Sequence, residues 1–403
     1  MKDNRGFWVK FTIICLGIMF NINTSSFVVL INSIAQHFIP LGMTGPQISM
    51  LITLPTLIMI PGVLVNGKLI KMYSMRSIMI VAWAIFGLAG ALLFFINNIF
   101  WFLFMRGVMG FAIGLCQPSS RALPAKLFEG NERSKLLGFI TMGGGIISVI
   151  LSLAFGRLGL LSWRYPLWFY PSLAAIFIIL ALIFIPKLPP EKYEEKKEQS
   201  GGLKSLGRPV WFLCLAGLYV YTIGAVIQIK TSIHVAELGI GSTDYASYIS
   251  ALNTAGIIVG GFFFGELYKR MKRWLFPLCA IITGIAYYFF ATTTSFAVLA
   301  VSGFVVTGAS IGLLMAYLIT RATFVAPKPL ISLAVLMVTF SNYLGQFLTT
   351  YYVEIIESMF GRAASVSLFS VSIAYLILAG ISLVYIFATR KDDEMLEARQ
   401  TAA

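Results

Sequence analysis

Gly67-Lys68-Leu69-Ile70-Lys71 and, 198 residues later, Gly265-Glu266-Leu267-Tyr268-Lys269 are short polar connectors between long apolar runs, and their reading decides the fold. The same offset places Gly62 on Gly260, Gly67 on Gly265, Lys71 on Lys269, Gly110 on Gly308 and Gly114 on Gly312. Five coincidences at one offset, in equivalent runs, indicate a duplicated unit. Duplication places any pathway between the two copies.

Outward from these connectors the chain is 58% hydrophobic and 11% charged over 403 residues, against about 25% charged in a soluble domain. A hydrocarbon core of about 30 Å takes roughly 20 apolar residues per helix. Apolar runs are expected near 8–36, 46–67, 78–96, 99–121, 135–156 and 166–186, then near 209–234, 244–267, 274–292, 295–320, 331–355 and 364–388. The expected fold is therefore an all-α membrane protein of 12 transmembrane helices in two pseudo-symmetric six-helix bundles. The bundles occupy 1–186 and 209–390, joined by a solvated linker over 187–208 (KLPPEKYEEKKEQSGG within it) and followed by a tail at 391–403. The charged start and apolar stretch of residues 1–38 suit a signal peptide superficially, but the run is too long and many like it follow.

The formal net charge of +14 would suggest nucleic acid in a soluble protein, yet 25 of the 30 basic residues fall in connectors on one side. Only Arg106, Arg157, Arg164, Lys230 and Arg362 lie elsewhere. That asymmetry predicts both termini in the cytoplasm of an inner-membrane protein, with the lipid bilayer and no nucleic acid as its partner. Cys15, Cys116, Cys214 and Cys279 lie in apolar runs without metal-ligand spacing, so no disulfide, metal or cofactor is expected.

Several motifs carry a resemblance. The connector Gly67 to Arg76 is similar to a loop signature G-x-L-a-D-r-x-G-R-K, with Lys71, Ser74 and Met75 replacing its aspartate, second glycine and first arginine. Arg106, Gly110 and Gly114 match R-x-x-x-G-x-x-x-G, Glu132-Arg133 leading to Gly138 matches the entry to helix five, and Trp163-Arg164 precedes helix six. The chain thus resembles the major facilitator superfamily over nearly its whole length. The resemblance implies a secondary transporter whose first, fourth, seventh and tenth helices line the pathway. It also implies gating and packing roles for Gly67, Lys71, Arg76, Gly110, Gly114 and Glu266, and for the helix-five glycines Gly143, Gly144 and Gly145. Lys71 in place of the aspartate argues against the family's usual charge-relay latch. The Gly-Pro core of the antiporter helix is missing, and Gly143 to Gly145 lack the strand and Gly-Lys-Ser/Thr of a phosphate loop.

Arg106, about seven residues into helix four, either snorkels outward or faces a cavity. Its spacing with Gly110 and Gly114 favours the cavity, where it would bind an anionic group or govern coupling. Lys230 is expected to snorkel outward; turned inward it would add a second positive charge. His37 and His234 are expected as interfacial anchors, and Pro55, Pro61, Pro118 and Pro124 as interruptions of helices two and four. Polar candidates for binding or coupling are Asn21 and Asn23, with Thr24, Ser25 and Ser26, on helix one. Others are Tyr219, Tyr221, Thr222 and Gln228 on helix seven, Asn253 and Thr254 on helix eight, Tyr317 on helix ten, and Asn342, Tyr343 and Gln346 on helix eleven. Acids are absent from the apolar interior of the first six runs, while Glu354 and Glu357 lie at the outer end of helix eleven. This balance tilts toward an anionic or neutral polar solute, moved by a monomer with a proton or counter-substrate as coupling partner. Alternatives are multidrug or sugar efflux, and a non-transporting receptor on the same scaffold. No clustered nucleophile, base and metal ligands point to an enzyme.

Overall fold

The computed structural model describes residues 2–128, 130–188, 206–240, 243–326 and 330–388. Most of the 187–208 linker and the 391–403 tail lie outside the described residues, as do the side chains of Thr24, Ser25, Ser26, Glu132 and Arg133. The described residues form helices and no strand.

In the first half, α1 (Lys2–Gly17) and α2 (Met19–Phe38) together make one crossing. They are followed by α3 (Gly45–Leu69), α4 (Met75–Leu93), α5 (Ile99–Leu127), α6 (Gly130–Leu161) and α7 (Phe169–Phe184). In the second, α8 (Gly207–Gly224) and α9 (Val226–Glu237) make one crossing, followed by α10 (Thr243–Met271) and α11 (Leu275–Thr292). The tenth crossing joins α12 (Phe296–Thr307) to α13 (Met315–Val325) through a π-helical turn, Gly308–Leu314, and α14 (Ile331–Phe360) and α15 (Ala364–Ala388) complete the half. Ten described stretches are long and apolar enough to cross a membrane. One of them, Tyr245–Thr292, contains both α10 and α11, and α14 adds another, so the described residues make twelve crossings. The membrane face at which α1 starts is called the near face below, and the opposite one the far face.

Three runs expected to be single helices are not. The first is broken at Ile18, the seventh at Ala225, and the tenth carries the π turn. A break inside a membrane frees carbonyls that neighbours must satisfy. The Cys116 thiol of α5 donates to the Leu16 carbonyl (3.4 Å), and the Tyr287 hydroxyl of α11 donates to the Gly224 carbonyl (2.9 Å). Conversely, the four prolines expected to interrupt helices two and four sit inside the continuous α3 and α5. Helix starts follow local chemistry. The Asn98 side chain accepts from the Phe100 amide (2.9 Å) at the head of α5, and the Ser74 hydroxyl accepts from the Ser77 amide (3.2 Å) at the head of α4.

The repeated glycines mark one helix crossing made twice. A Cβ on Gly114 of α5 would come within 2.9 Å of Gly62 Cα on α3, and one on Gly110 within 2.6 Å of Pro55 Cα. In the second half a Cβ on Gly312 would lie 3.1 Å from Gly260 Cα on α10. Only glycine lets backbones approach this closely. Gly67 and Gly265 meet nothing within 4 Å among the described residues, so this pair of the repeat takes no part in the crossing. Two hydrophobic cores result, one drawn mainly from residues 13–185 and one from 206–379. Ile229 of α9 is buried in the first-half core, and Ile233 and Tyr343 pack against it.

Candidate functional site

A cavity of about 690 Å³ lies between the halves. Its polar lining is Asn21 of α2, Ser148 and Ser152 of α6, Tyr221 of α8 and Gln228 of α9, with Ser250, Asn253 and Thr254 of α10, Thr307 of α12 and Gln346 of α14. Phe20, Val28, Met142, Ile227, Ile257, Ile258, Phe262 and Ile311 supply the apolar walls, and among the described residues no charged one lines it. The chemistry offered is hydrogen bonding by hydroxyls and amides against apolar surface, the composition of a small-molecule site.

Local structure explains how these groups come to face inward. Ser148 and Ser152 are one helical turn apart on α6, as are Ser250 and Thr254 on α10, so each pair shares a face. Gly144 and Gly145 bring α6 close to both neighbours. A Cβ on Gly144 would reach 2.6 Å from Asn21 Oδ1, and one on Gly145 2.6 Å from Ile258 Cγ1. Gly143 likewise receives Ile14 of α1. The Thr307 hydroxyl donates to the Asn253 carbonyl (2.6 Å), tying the edge of the π turn to α10. Such turns recur at functional sites in other helices. The Gln346 amide donates to Gln228 Oε1 (3.2 Å), holding two cavity amides together.

Direct contacts between the halves bracket the cavity. One turn from Gln346 toward the far face, Thr350 of α14 shares a 2.6 Å hydrogen bond with Thr53 of α3, both residues buried. The Ser232 hydroxyl of α9 donates to the Val29 carbonyl of α2 (3.2 Å), also across the halves. Toward the near face, the Tyr343 hydroxyl donates to Gln117 Oε1 of α5 (3.3 Å).

The expected binding residues divide into separate places. Asn21, Tyr221 and Gln228 line the cavity. Arg106 does not line it, nor does it snorkel: it is 0% exposed inside the first-half core. Its Nε donates to the Leu51 carbonyl (2.9 Å), Nη1 donates to Asn23 Oδ1 (2.5 Å), and the guanidinium sits 3.8 Å from the centre of the Phe27 ring. Nη2 has no hydrogen-bond partner among the described residues. Lys230 is also buried rather than snorkelling, and pairs with Glu357 of α14, which accepts from the Ser367 hydroxyl as well (3.2 Å). His234 is buried too, its Nε2 3.1 Å from the Phe290 carbonyl, so it anchors to a helix and not to the interface. Tyr317 packs against Tyr268 and Phe276 and lines a different pocket, near the near face. Asn342 is buried, and its Oδ1 lies 2.6 Å from where a Cβ on Gly217 would be.

Among the expected gating residues, Arg76 donates to the Leu182 (2.7 Å) and Ile185 (2.9 Å) carbonyls and so caps α7. Lys71 is exposed, and Glu266 makes an exposed ion pair with Arg270 on its own helix (2.7 Å). The expected lining by helices one, four, seven and ten is only partly met: helices five, eight and eleven contribute and helix four supplies none of the lining residues. Ser148, Ser152, Ser250 and Thr307 were not singled out from the sequence. Polar residues at fourfold spacing on helices five and eight were the available signal.

Among solved structures, the chain is similar to the nucleoside transporter NupG (14% identity, TM-score 0.70, covering 95% of this chain and 98% of that one). It is similar also to the xylose transporter XylE from E. coli in its inward-open conformation (14% identity, TM-score 0.72, covering 94% and 95%). Multidrug resistance protein 2 of Bacillus subtilis is 23% identical over 241 residues, which are 57% of this chain. The chain spans 60% of the length of that curated relative. With a family model matching residues 12–350 and twelve crossings in two glycine-crossed halves around a shared cavity, this multi-pass membrane protein belongs to the Major Facilitator Superfamily.

Proposed function

We propose that the chain is an alternating-access secondary transporter of a small, neutral, hydrogen-bonding organic solute. The observation that carries this reading is the cavity between the halves, lined among the described residues by ten polar side chains and no charged one. An anionic solute would need a fixed positive charge there, yet Arg106 and Lys230 are both engaged elsewhere. The likeness to structures of a nucleoside and a xylose transporter supports the same substrate class. The cavity amides and hydroxyls would replace the solute's water, and rocking of the halves would exchange the bracketing contacts, chiefly Thr53 with Thr350, for access. The distribution of basic residues supports cytoplasmic termini in an inner membrane. We assign the working unit as a monomer coupled to a proton or counter-solute, with no chemistry performed on the cargo.

Counterflow from proteoliposomes loaded with a panel of sugars, nucleosides and organic anions tests this. Exchange of a neutral solute is expected, with Gln228→Ala and Gln346→Ala each raising KM by roughly tenfold as a hydrogen bond is lost. Exchange of anions alone would sink the neutral assignment.

A second reading, efflux of apolar drugs, is favoured by the walls of Phe20, Met142, Ile258 and Phe262 and by the likeness to Multidrug resistance protein 2. Raised drug tolerance in a pump-deficient host, with no counterflow of polar solutes, would establish it.

A further inference from the structure

The central cavity is graded across the membrane where α6 and α10 meet. α6 runs from the near face to the far face, and α10 runs the opposite way. On α6 the lining passes from Met142 to Ser148 and Ser152, and on α10 from Phe262 and Ile258 to Thr254 and Ser250. Both helices are therefore apolar on the near side of the cavity and hydroxyl-bearing on the far side. The two ends are about 15–18 Å apart at 1.5 Å per residue. The tenth crossing repeats the order, with Ile311 nearer and Thr307 farther, whereas Asn21, Val28 and Tyr221 of the facing wall do not follow it.

Exposure and hydrogen bonding divide at the same place. Phe262 is 81% exposed and Met142 46%, whereas Ser148 and Ser250 are buried. Phe262 lies nine residues, about 13 Å, before the near-face end of α10, which is the depth of acyl chains. At the far end, the Ser148 hydroxyl donates to the Gly144 carbonyl (2.8 Å) and the Thr254 hydroxyl to the Ser250 carbonyl (3.0 Å), which leaves both oxygens able to accept. Ser250 Oγ has no hydrogen-bond partner among the described residues. A solute in the cavity would supply the bond that its burial calls for.

We propose that the solute is a neutral amphiphile with a hydroxyl-bearing head and a single apolar tail. This rests on the transporter reading of the same cavity and narrows its substrate class. The head would donate to Ser148 and Thr254 and accept from Ser250. The tail would run along Ile258 to Met142 and Phe262 and end at the mouth between α6 and α10. A small polyol would satisfy the far end and leave the apolar mouth without a partner, and a wholly apolar drug would leave Ser250 unsatisfied. A charged head would meet no opposite charge among the described lining residues. The cavity of about 690 Å³ has room for both parts.

Calorimetric titration of the full-length chain in lipid nanodiscs with alkyl β-D-glucosides, methyl to heptyl, tests this, each kept below micelle formation and corrected with empty nanodiscs. Affinity is expected to rise roughly threefold per methylene as the tail lengthens. The double variant Met142→Gln/Phe262→Gln should flatten that rise and leave methyl glucoside unchanged. Ser250→Ala should weaken every member by about fivefold and keep the rise. Equal affinity along the series in the wild type overturns the amphiphile but leaves a neutral polar cargo standing, which the counterflow panel decides separately. A rise that persists in the double variant, or a Ser250→Ala chain that binds every glucoside as the wild type does, also overturns the proposal. Should the double variant fail to fold, Gly261→Leu narrows the mouth instead, since a Cβ there meets nothing within 4 Å among the described residues. The rise should then stop at a shorter chain, and an unaltered rise would refute the path of the tail.

Discussion

The two halves make the same glycine crossing but house their buried charge in opposite ways. In the first, Arg106 is surrounded by neutral groups: the Asn23 amide, the Leu51 carbonyl and the face of Phe27. In the second, Lys230 meets a carboxylate, Glu357, with Ser367 as a further donor to it. The contrast follows from the cations themselves. A guanidinium spreads its charge over a plane, is weakly hydrated and stacks on aromatic rings, whereas an ammonium is a compact charge that holds its water tightly. Burying the second kind calls for an opposite charge, and the apolar interior of the first half has no acid to give.

The sharpest way to break this comparison is to remove the carboxylate. Glu357→Gln leaves Lys230 buried and unpaired, which is expected to destabilise by about 3–5 kcal/mol. The double variant Lys230→Met/Glu357→Leu should recover most of that loss in thermal unfolding. Arg106→Gln orphans no opposite charge and is expected to cost less, about 1.5–3 kcal/mol for the lost charged hydrogen bonds. Equal losses from Glu357→Gln and Arg106→Gln would mean that the two burials are alike after all.

The crossings can be ranked in the same way. Gly114→Ala drives a Cβ against the Met59 carbonyl carbon at 2.9 Å, with its oxygen nearer still, and should destabilise by about 1–3 kcal/mol. Gly312→Ala meets the Ile257 carbonyl at 3.0 Å, so the second-half crossing should give way more easily and lose less. Melting curves of the two single variants decide it, and a larger loss at Gly312 would reverse the assignment of the tighter crossing. The smallest effect belongs to Glu266→Gln. Its pair with Arg270 is 56% and 74% exposed, and the expected change is within about 0.5 kcal/mol.

Much of this architecture was legible in the sequence because two signals were redundant. Apolar run length set the crossings, and Gly62, Gly110 and Gly114 with their partners at one offset marked the tight crossing. The site was less legible. Arg106 and Lys230 read as cavity charges or snorkelling ones, because a lone basic residue in an apolar run carries no trace of a partner 83 or 127 positions away, as Asn23 and Glu357 are. Asn21, Tyr221 and Gln228 were found since they are polar where the run is apolar. Ser148, Ser152 and Ser250 escaped since serine also bonds back to its own helix, as Ser148 does to the Gly144 carbonyl (2.8 Å).

The misplacement of Tyr317 has a cause in the π turn. Each residue of an α-helix advances the side chains by about 100°, and the wider turn over Gly308–Leu314 absorbs roughly one extra residue. Everything after it is dialled back by that angle, so Thr307 and Ile311 look into the cavity while Tyr317 and Arg321 look the other way. The tenth crossing is therefore two helices out of phase on one thread. Loss of a single codon within 308–314 would bring them into phase and turn Tyr317 and Arg321 through about 100°, without changing any other residue of the chain.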